Sequence, residues 1–158
     1  MITAAQSLRE RVEALYAEYA AALDEAVETW PSFFTADALY KIVTYENFER
    51  DLPLALMRCE GRGMMLDRVV AIQKTSVYVP RRLRHLVSAI RPVRNDDASI
   101  ACRTAVAVFE SFPEGTTRIF AVGRYLDRIV EIDGELKFAE KLVVLDGDLI
   151  SGSLIYPV

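Results

Sequence analysis

Histidine and cysteine are scarce in this chain of 158 residues. It has one histidine, His85, and two cysteines, Cys59 and Cys102, which lie too far apart for a metal-binding or redox motif. A Rieske cluster needs two histidines with two cysteines, and a non-haem iron facial triad needs two histidines with a carboxylate. Neither site, nor a Cys/His zinc site, can be assembled within this chain. We expect two reduced thiols in a cytoplasmic protein.

Long hydrophobic runs and common catalytic motifs are also missing. No stretch approaches the roughly 18 apolar residues of a membrane-spanning helix, so we expect no membrane contact. Residues 1–19 have no basic segment followed by an apolar one, which predicts no secretory signal. G-x-G-x-x-G, Walker and G-x-S-x-G motifs do not occur. The 23 acidic residues outnumber the 19 Lys and Arg, which argues against nucleic acid as a partner.

What the sequence does contain favours a single domain, residues 1–158. Apolar residues make up 52% of the chain, which is enough for a substantial core, and no repeat or linker interrupts it. The high apolar share also favours surface buried between subunits.

The first 80 residues predict helices with short strands between them. Thr3-Ala-Ala-Gln6 and Ser7-Leu-Arg-Glu10 both have capping-box form, and one of them begins the first helix. The apolar face of this helix recurs at spacings of three and four: Leu8, Val12, Leu15, Tyr19 and Leu23. We then expect a short helix at 31–35, a strand at 38–44, a loop or helical turn at 45–52 and a short strand at 54–59. A further helix follows, with an apolar face of Met64, Met65, Leu66, Val69, Val70 and Ile72.

The second half predicts a meander of long strands. Four apolar segments, at 84–94, 99–112, 117–132 and 135–146, are separated by turn residues, and Asp133-Gly134 is a strong hairpin signal. Gly123 indicates a bulge or a bend within its strand. Residues 149–156 predict a final strand.

These elements predict an α+β fold, with N-terminal helices packed on a long, curved antiparallel sheet. Helices over the concave face would leave a pocket. Strand segments such as 119–122 and 142–145 are apolar on both sides, so both faces of the sheet should be covered. Oligomerisation through the sheet would cover the convex face.

The segment 58–94 concentrates positive charge, with nine Lys and Arg against two acids. Its arginines could be solvated, pair with the acidic first helix, or contact another subunit, and their density favours ion-paired contact. They are Arg81, Arg82, Arg84, Arg91 and Arg94. The same segment contains His85, which could be a general base helped by Asp67, Asp127 or Tyr125, or a structural or interface residue.

Several short segments, taken together and in this order along the chain, form a recognisable pattern. They are Trp30-Pro-x-Phe-Phe-Thr-x-Asp-Ala-Leu-Tyr40, Gly63-Met64 with Asp67-Arg68-Val69, Tyr78-x-Pro-Arg-x-Leu-Arg-His-Leu-Val-Ser88, Tyr125-Leu-Asp127, and Asp133-Gly134 with Leu136. On these pieces the chain resembles the small (β) subunits of aromatic-ring-hydroxylating dioxygenases, and especially those that serve aromatic carboxylates such as terephthalate, anthranilate or salicylate. Ala89 departs from many relatives, which place Asn there.

The resemblance implies a cone-shaped fold of the nuclear-transport-factor-two-like and scytalone-dehydratase-like superfamily. It implies a non-catalytic subunit without cofactor, in a hexamer of three β and three α subunits. The α subunit would carry a Rieske [2Fe–2S] cluster and a mononuclear iron. On this hypothesis Arg82, Arg84, His85 and Arg91 contribute to contacts between subunits, and core side chains fill the cone.

Two alternatives use the same fold. A stand-alone dehydratase or isomerase would use His85 with an acidic partner such as Asp67, and requires a solvent-reachable His85 in a deep pocket. A small-molecule binding protein would show an open cone without an aligned acid–base pair.

Overall fold

The structure is a computed structural model that describes residues 7–76, 78–150 and 154–158. A helical first half is followed by long strands. In chain order the elements are α1 (Leu8–Glu25), a 3-10 helix (Val27–Phe33), β1 (Phe34–Thr44), α2 (Tyr45–Glu49), β2 (Met57–Glu60), α3 (Gly61–Val70) with a π-helical turn (Ala71–Thr75), β3 (Arg82–Arg94), β4 (Ile100–Ser111), β5 (Thr117–Ile132) and β6 (Glu135–Leu145).

Helix α1 begins at the second of the two predicted capping boxes. The Ser7 hydroxyl accepts a hydrogen bond from the Glu10 backbone, and the Glu10 carboxylate accepts one from the Ser7 backbone at 2.7 Å. The Thr3–Gln6 box lies outside the described residues. Burial confirms the predicted apolar face except at Leu8, which is only partly buried, and adds Tyr16 and Ala22 to it.

The second helix and the first two strands are shifted from their predicted positions. The helix is of 3-10 type and spans Val27–Phe33, because the Thr29 hydroxyl binds the Ala26 carbonyl oxygen and starts the turn before Pro31. Phe34 is already extended, so β1 begins four residues earlier than expected. Strand β2 begins at Met57, which pairs with Ile42.

Helix α3 buries a narrower face than predicted. Met65 and Val69 are buried, as is Ile72 in the following π-helical turn, because this side packs towards β1 and the 3-10 helix. Met64, Leu66 and Val70, predicted to belong to the same face, are about half exposed.

One six-stranded sheet, of order β2-β1-β6-β5-β4-β3, forms the body of the molecule. Strands β3 to β6 form the predicted antiparallel meander, with bounds within two residues of those predicted. The sheet is not wholly antiparallel, because β1 runs parallel to β6. Asp133 and Gly134 have positive φ, as a tight hairpin requires.

Gly123 does not mark a bulge. It keeps regular register with Val106 on one side and Leu145 on the other, and the irregularities of β5 lie beyond it, next to Val108 and Arg128. A Cβ at this position would overlap the Val144 carbonyl oxygen. The close approach of β6 therefore explains the glycine.

The predicted final strand at 149–156 is wrong for the residues of that range that the structure describes. Leu149, Ile150 and residues 154–156 are not in a strand, and 151–153 lie outside the described residues. Val158 is instead buried in the core. The Tyr40 hydroxyl donates to the Val158 carbonyl oxygen at 3.0 Å and accepts from the Val158 N–H at 2.8 Å.

Candidate functional site

The concave side of the sheet packs against α1 and is filled by aromatic rings. Tyr16 and Tyr19 of α1 contact Phe138 of β6, with ring centroids 5.6 and 5.3 Å apart. Tyr125 of β5 lies 6.3 Å from Tyr19, and Phe34 lies 5.6 Å from Phe138. These rings are buried and occupy the interior of the cone, where a substrate of an enzyme with this fold would have to bind.

A buried ion pair lies among these rings. The Lys141 ammonium is 2.8 Å from the Asp127 carboxylate, and both side chains are fully buried. The Tyr16 hydroxyl donates to the same carboxylate oxygen at 2.6 Å, and the ammonium lies 3.5 Å from the Tyr125 ring centroid. Burial raises the pKa of Asp127, which Lys141 partly offsets, and lowers the pKa of Lys141 to about 8. The pair is part of the core rather than a reactive centre.

His85 is held by a carboxylate that the sequence interpretation missed. Its Nδ1 lies 2.7 Å from Asp24 Oδ1, and its backbone N–H donates to both oxygens of Asp24 at 3.1 Å. This contact joins the last turn of α1 to the edge strand β3. One signal could have revealed it: Asp24 and Glu25 end a helix that has no basic residue in its last turn, where the helix dipole disfavours carboxylates.

The predicted catalytic set is not assembled. The His85 side chain has no exposed surface, and its Nε2 has no hydrogen-bond partner in the described part of the chain. Asp67 is exposed on α3, and Asp127 pairs with Lys141. The buried imidazole also offers no surface to another subunit, so the proposed interface role is kept for the exposed arginines.

The arginines of the basic segment divide into two groups. Arg81 binds the buried Glu110 at 2.8 Å, and Arg84 lies 3.4 Å from Glu25 and 3.6 Å from Asp24. For Arg84 the structure thus shows one of the three alternatives, pairing with the acidic first helix, and its predicted contact with another subunit stays a prediction. Arg82 and Arg91 are exposed, and their predicted contact with a partner subunit stays a prediction.

The convex face of the sheet has apolar side chains open to solvent. Leu86 of β3 and Val122 of β5 both stand beside Ala107 of β4, and they are 54% and 42% exposed. Val93 and Ile119 are exposed by 62% and 60%. The expectation that both faces are covered is therefore not met within one chain. Exposed apolar surface of this kind marks a binding surface for a partner.

Arginines stand among these apolar side chains. Arg91 of β3 lies directly opposite Arg103 of β4, and both are exposed. Together with Arg124 of β5 they line a shallow recess of about 360 Å³. Arg103 was not among the predicted interface residues. The alternation of β4 alone could have identified it, because every second residue from Ala101 faces outward.

Ala89 has a conformational role in placing Arg91. The register between β3 and β4 shifts between Ser88 and Arg91, and Ala89 within this bulge has a φ of 50°. Asn tolerates such left-handed conformations better than Ala does. An Asn at this position would therefore suit the backbone better than Ala does.

The described residues contain neither a candidate metal cluster nor a helix that could span a membrane. No cluster of three or more His, Cys, Asp or Glu side chains that could hold a metal ion occurs within 7–76, 78–150 and 154–158. No helix in these ranges is long and apolar enough to cross a membrane.

Known proteins share both the sequence and the fold. The chain is 29% identical over 149 residues to the β 1 subunit of the terminal oxygenase component of terephthalate 1,2-dioxygenase from Comamonas sp, with 94% of this chain and 97% of that protein covered. The structure of the β subunit assigned to an aromatic-ring-hydroxylating dioxygenase of Novosphingobium aromaticivorans has a TM-score of 0.84 and 29% identity, with 94% of each chain covered.

A second structure from Novosphingobium aromaticivorans, assigned as a scytalone dehydratase, has a TM-score of 0.70 at 19% identity and covers 91% of this chain and 89% of that one. This likeness shows the fold alone, and it confirms the predicted cone-shaped α+β architecture. The model of the ring hydroxylating beta subunit family matches residues 17–152, and this chain therefore belongs to that family.

Proposed function

We propose that this chain is the non-catalytic, structural β subunit of a dioxygenase for an aromatic carboxylate, and that three copies assemble with three α subunits. The observation that carries the proposal is the filled cone. Aromatic rings and the Lys141–Asp127 pair occupy the interior, whereas the opposite face of the sheet is exposed and apolar. An enzyme of this fold needs the reverse arrangement, an open interior with an accessible acid–base pair.

The α subunit would carry the metal centres of the reaction. A Rieske [2Fe–2S] cluster and a mononuclear iron each need two histidines, and this chain has only one. That histidine is engaged with Asp24 on Nδ1. The ligand sets therefore do not fit the residues of this chain, and we assign both centres to the partner.

The substrate class rests on the sequence relatives. The relative from Comamonas sp serves terephthalate 1,2-dioxygenase, and the similarity covers nearly all of both chains. We propose an aromatic carboxylate on this basis. The β subunit would act on it only through the α subunit that it supports.

The stand-alone enzyme is the weaker candidate. It is favoured by one observation, the 2.7 Å contact between His85 and Asp24, since a carboxylate-oriented imidazole is a common general base. The same imidazole is fully buried, however, and Asp24 uses both of its oxygens on the His85 backbone as well. The geometry is that of a structural contact between α1 and β3.

Co-expression with an α subunit tests the proposal. We expect the two chains to co-purify in equal number, with a mass by light scattering that corresponds to three copies of each. The complex should oxygenate an aromatic carboxylate, and a His85→Gln variant that assembles normally should retain the turnover of the wild-type complex.

Two results would contradict it. One is a chain that does not bind α subunits from aromatic-carboxylate dioxygenase systems under any salt condition. The other is a His85→Gln complex that assembles but loses turnover, since this would give His85 a part in the chemistry.

A further inference from the structure

Three arginines from three neighbouring strands surround one recess in the sheet. Arg91, Arg103 and Arg124 line this recess of about 360 Å³, which is within the size range of small-molecule sites. The other residues that line it are small, among them Ala89 and Ala105, and none of them is acidic. The recess therefore combines three positive charges with room for a small ligand.

Two of these charges are not balanced within the described part of the chain. Arg91 and Arg103 are directly opposite in the register of β3 and β4, and like charges at such positions destabilise a sheet. Neither guanidinium has an ion pair with a carboxylate in the described ranges. An anion bound to both would remove the repulsion, and the planar fork of a guanidinium matches a carboxylate.

The third arginine is held in place by aromatic rings. The Arg124 guanidinium lies 5.6 Å from the ring centroid of Tyr45 and 5.3 Å from that of Phe48. Its distance to the Glu49 carboxylate is 4.0 Å, which is too long for a hydrogen bond. Stacking thus orders this guanidinium while leaving its N–H groups free of a close carboxylate, and an ordered group binds a ligand at a lower entropic cost.

A second hollow of about 590 Å³ adjoins the recess, and the first two arginines line both. It adds apolar surface from Val93, which is 62% exposed, and from the half-buried Leu126. The exposed charges that only this hollow contains, Arg128 and Glu140, are opposite each other in the register of β5 and β6. The charged end of a ligand should therefore lie in the recess, and an apolar body should lie over Val93 and Leu126.

We propose that the recess binds a small aromatic carboxylate, with its carboxylate on Arg91 and Arg103 and its ring towards Val93 and Leu126. An inorganic anion would satisfy the arginines but leave the apolar side chains uncovered. The inference deepens the proposed function, on which it rests for the class of carboxylate. It adds that the β subunit itself binds a molecule of this class.

The test is a titration of the full-length chain with benzoate, followed by calorimetry or by NMR. Acetate and inorganic phosphate are titrated in the same way, because they carry the charge without the ring. Arg91→Gln/Arg103→Gln removes both charges and the repulsion between them, so the fold should be kept. Arg82→Gln/Arg94→Gln is the matched control, since it makes the same change on two exposed side chains of the same strand outside the recess.

We expect benzoate to bind at one site per chain, and to bind more weakly at about 500 mM than at about 50 mM salt. The Arg91→Gln/Arg103→Gln variant should bind it at least about tenfold more weakly, and the control should bind it as the wild type does. Benzoate should also raise the melting temperature of the wild type but not that of the Arg91→Gln/Arg103→Gln variant.

Three results would overturn the inference. One is the absence of saturable benzoate binding to the wild type, and another is unchanged binding to the Arg91→Gln/Arg103→Gln variant. The third is acetate or phosphate binding as tightly as benzoate, because the site would then accept any small anion and the apolar side chains would play no part.

Assembly with an α subunit is measured separately on the same proteins. If the chain binds benzoate in the recess but no α subunit, the binding site stands and the proposed function fails. If it assembles with α subunits but binds no benzoate, the proposed function stands and the binding site fails. The two failures are thus distinguishable.

Discussion

The two faces of the sheet differ in whether their positive charges are buried and paired with a carboxylate. On the concave face, Lys141 is completely buried but has a carboxylate at 2.8 Å and aromatic rings around its ammonium group. On the convex face, Arg91 and Arg103 are exposed and have no carboxylate partner within the described residues. A buried charge with a carboxylate partner is part of the core. An unpaired charge among exposed apolar side chains indicates a surface that binds a partner.

The concave face should show the largest effect on mutation. Asp127→Ala leaves the Lys141 ammonium buried without its partner and removes the acceptor of the Tyr16 hydroxyl. We expect a loss of about 3–5 kcal/mol in the free energy of unfolding, measured by urea denaturation. The charge-free variant Lys141→Met/Asp127→Asn should lose less than the single variant. A larger loss in the double variant would show that the ion pair itself stabilises the fold.

The contact between α1 and β3 should show the next largest effect. Asp24→Ala leaves the His85 backbone N–H and ring nitrogen without an acceptor in a buried position. We expect a loss of about 1–3 kcal/mol in thermal or urea unfolding. Glu25→Ala is the matched control, because Glu25 is exposed and meets only Arg84, so its loss should be within about 0.5 kcal/mol. Equal losses would mean that Asp24 acts only as a surface charge.

A pH dependence follows from the buried lysine. Its pKa is lowered to about 8 from 10.5, so between these values the unfolded chain keeps a proton that the folded chain releases. The contribution of this group to the free energy of unfolding therefore rises with pH, by at most about 1.4 kcal/mol per pH unit. The buried Tyr16 and Tyr125 have the opposite effect on stability as the pH rises. Burial raises their pKa values, so the folded chain keeps protons that the unfolded chain releases.

The charge-free variant removes the Lys141–Asp127 pair and keeps the tyrosines, so a comparison with it reports the titration of the pair alone. We expect the stability of the wild type, relative to Lys141→Met/Asp127→Asn, to increase between about pH 7.5 and 9.5 in urea titrations. A constant difference across this range would show that Lys141 keeps its proton in the folded chain.

Substitution of Ala89 in the bulge of β3 should have a smaller effect, and it should stabilise the fold. Ala89 has a φ of 50°, which costs a residue with a Cβ about 1–2 kcal/mol. Ala89→Gly, and to a lesser extent Ala89→Asn, should raise the free energy of unfolding by about 0.5–1 kcal/mol. Ala105→Gly, in regular β4 opposite Ser88, should lower it by a similar amount. Destabilisation by both glycines would mean that Ala89 is not strained.

Local sequence signals predicted one half of the molecule better than the other. The strands of the meander were placed within two residues because short turns, such as Asp133-Gly134, fix where each strand ends. The parallel pairing of β1 with β6 joins segments about a hundred residues apart, and no local pattern encodes it. The same holds for Asp24 and His85, which are 61 positions apart.

The contents of the cone were predicted better than the pairing of the arginines. The filled cone matches the expectation for a structural subunit, and Arg91 lies on the exposed face as expected. Arg84 was assigned to the same surface but pairs with the acidic end of α1. Charge density in the sequence cannot separate these cases, because the two arginines differ only in what the fold brings near them.

A single substitution tests the repulsion between the two opposed arginines of the convex face. Arg103→Glu places a carboxylate directly opposite Arg91, so the like-charge pair becomes an attractive one within the chain. We expect the isolated chain to gain about 0.2–1 kcal/mol in the free energy of unfolding, measured at high dilution. Arg128→Glu is the contrasting control: it breaks an existing pair with Asp97 and should lower stability slightly. If Arg103→Glu lowered the stability of the isolated chain, the repulsion between Arg91 and Arg103 would not exist.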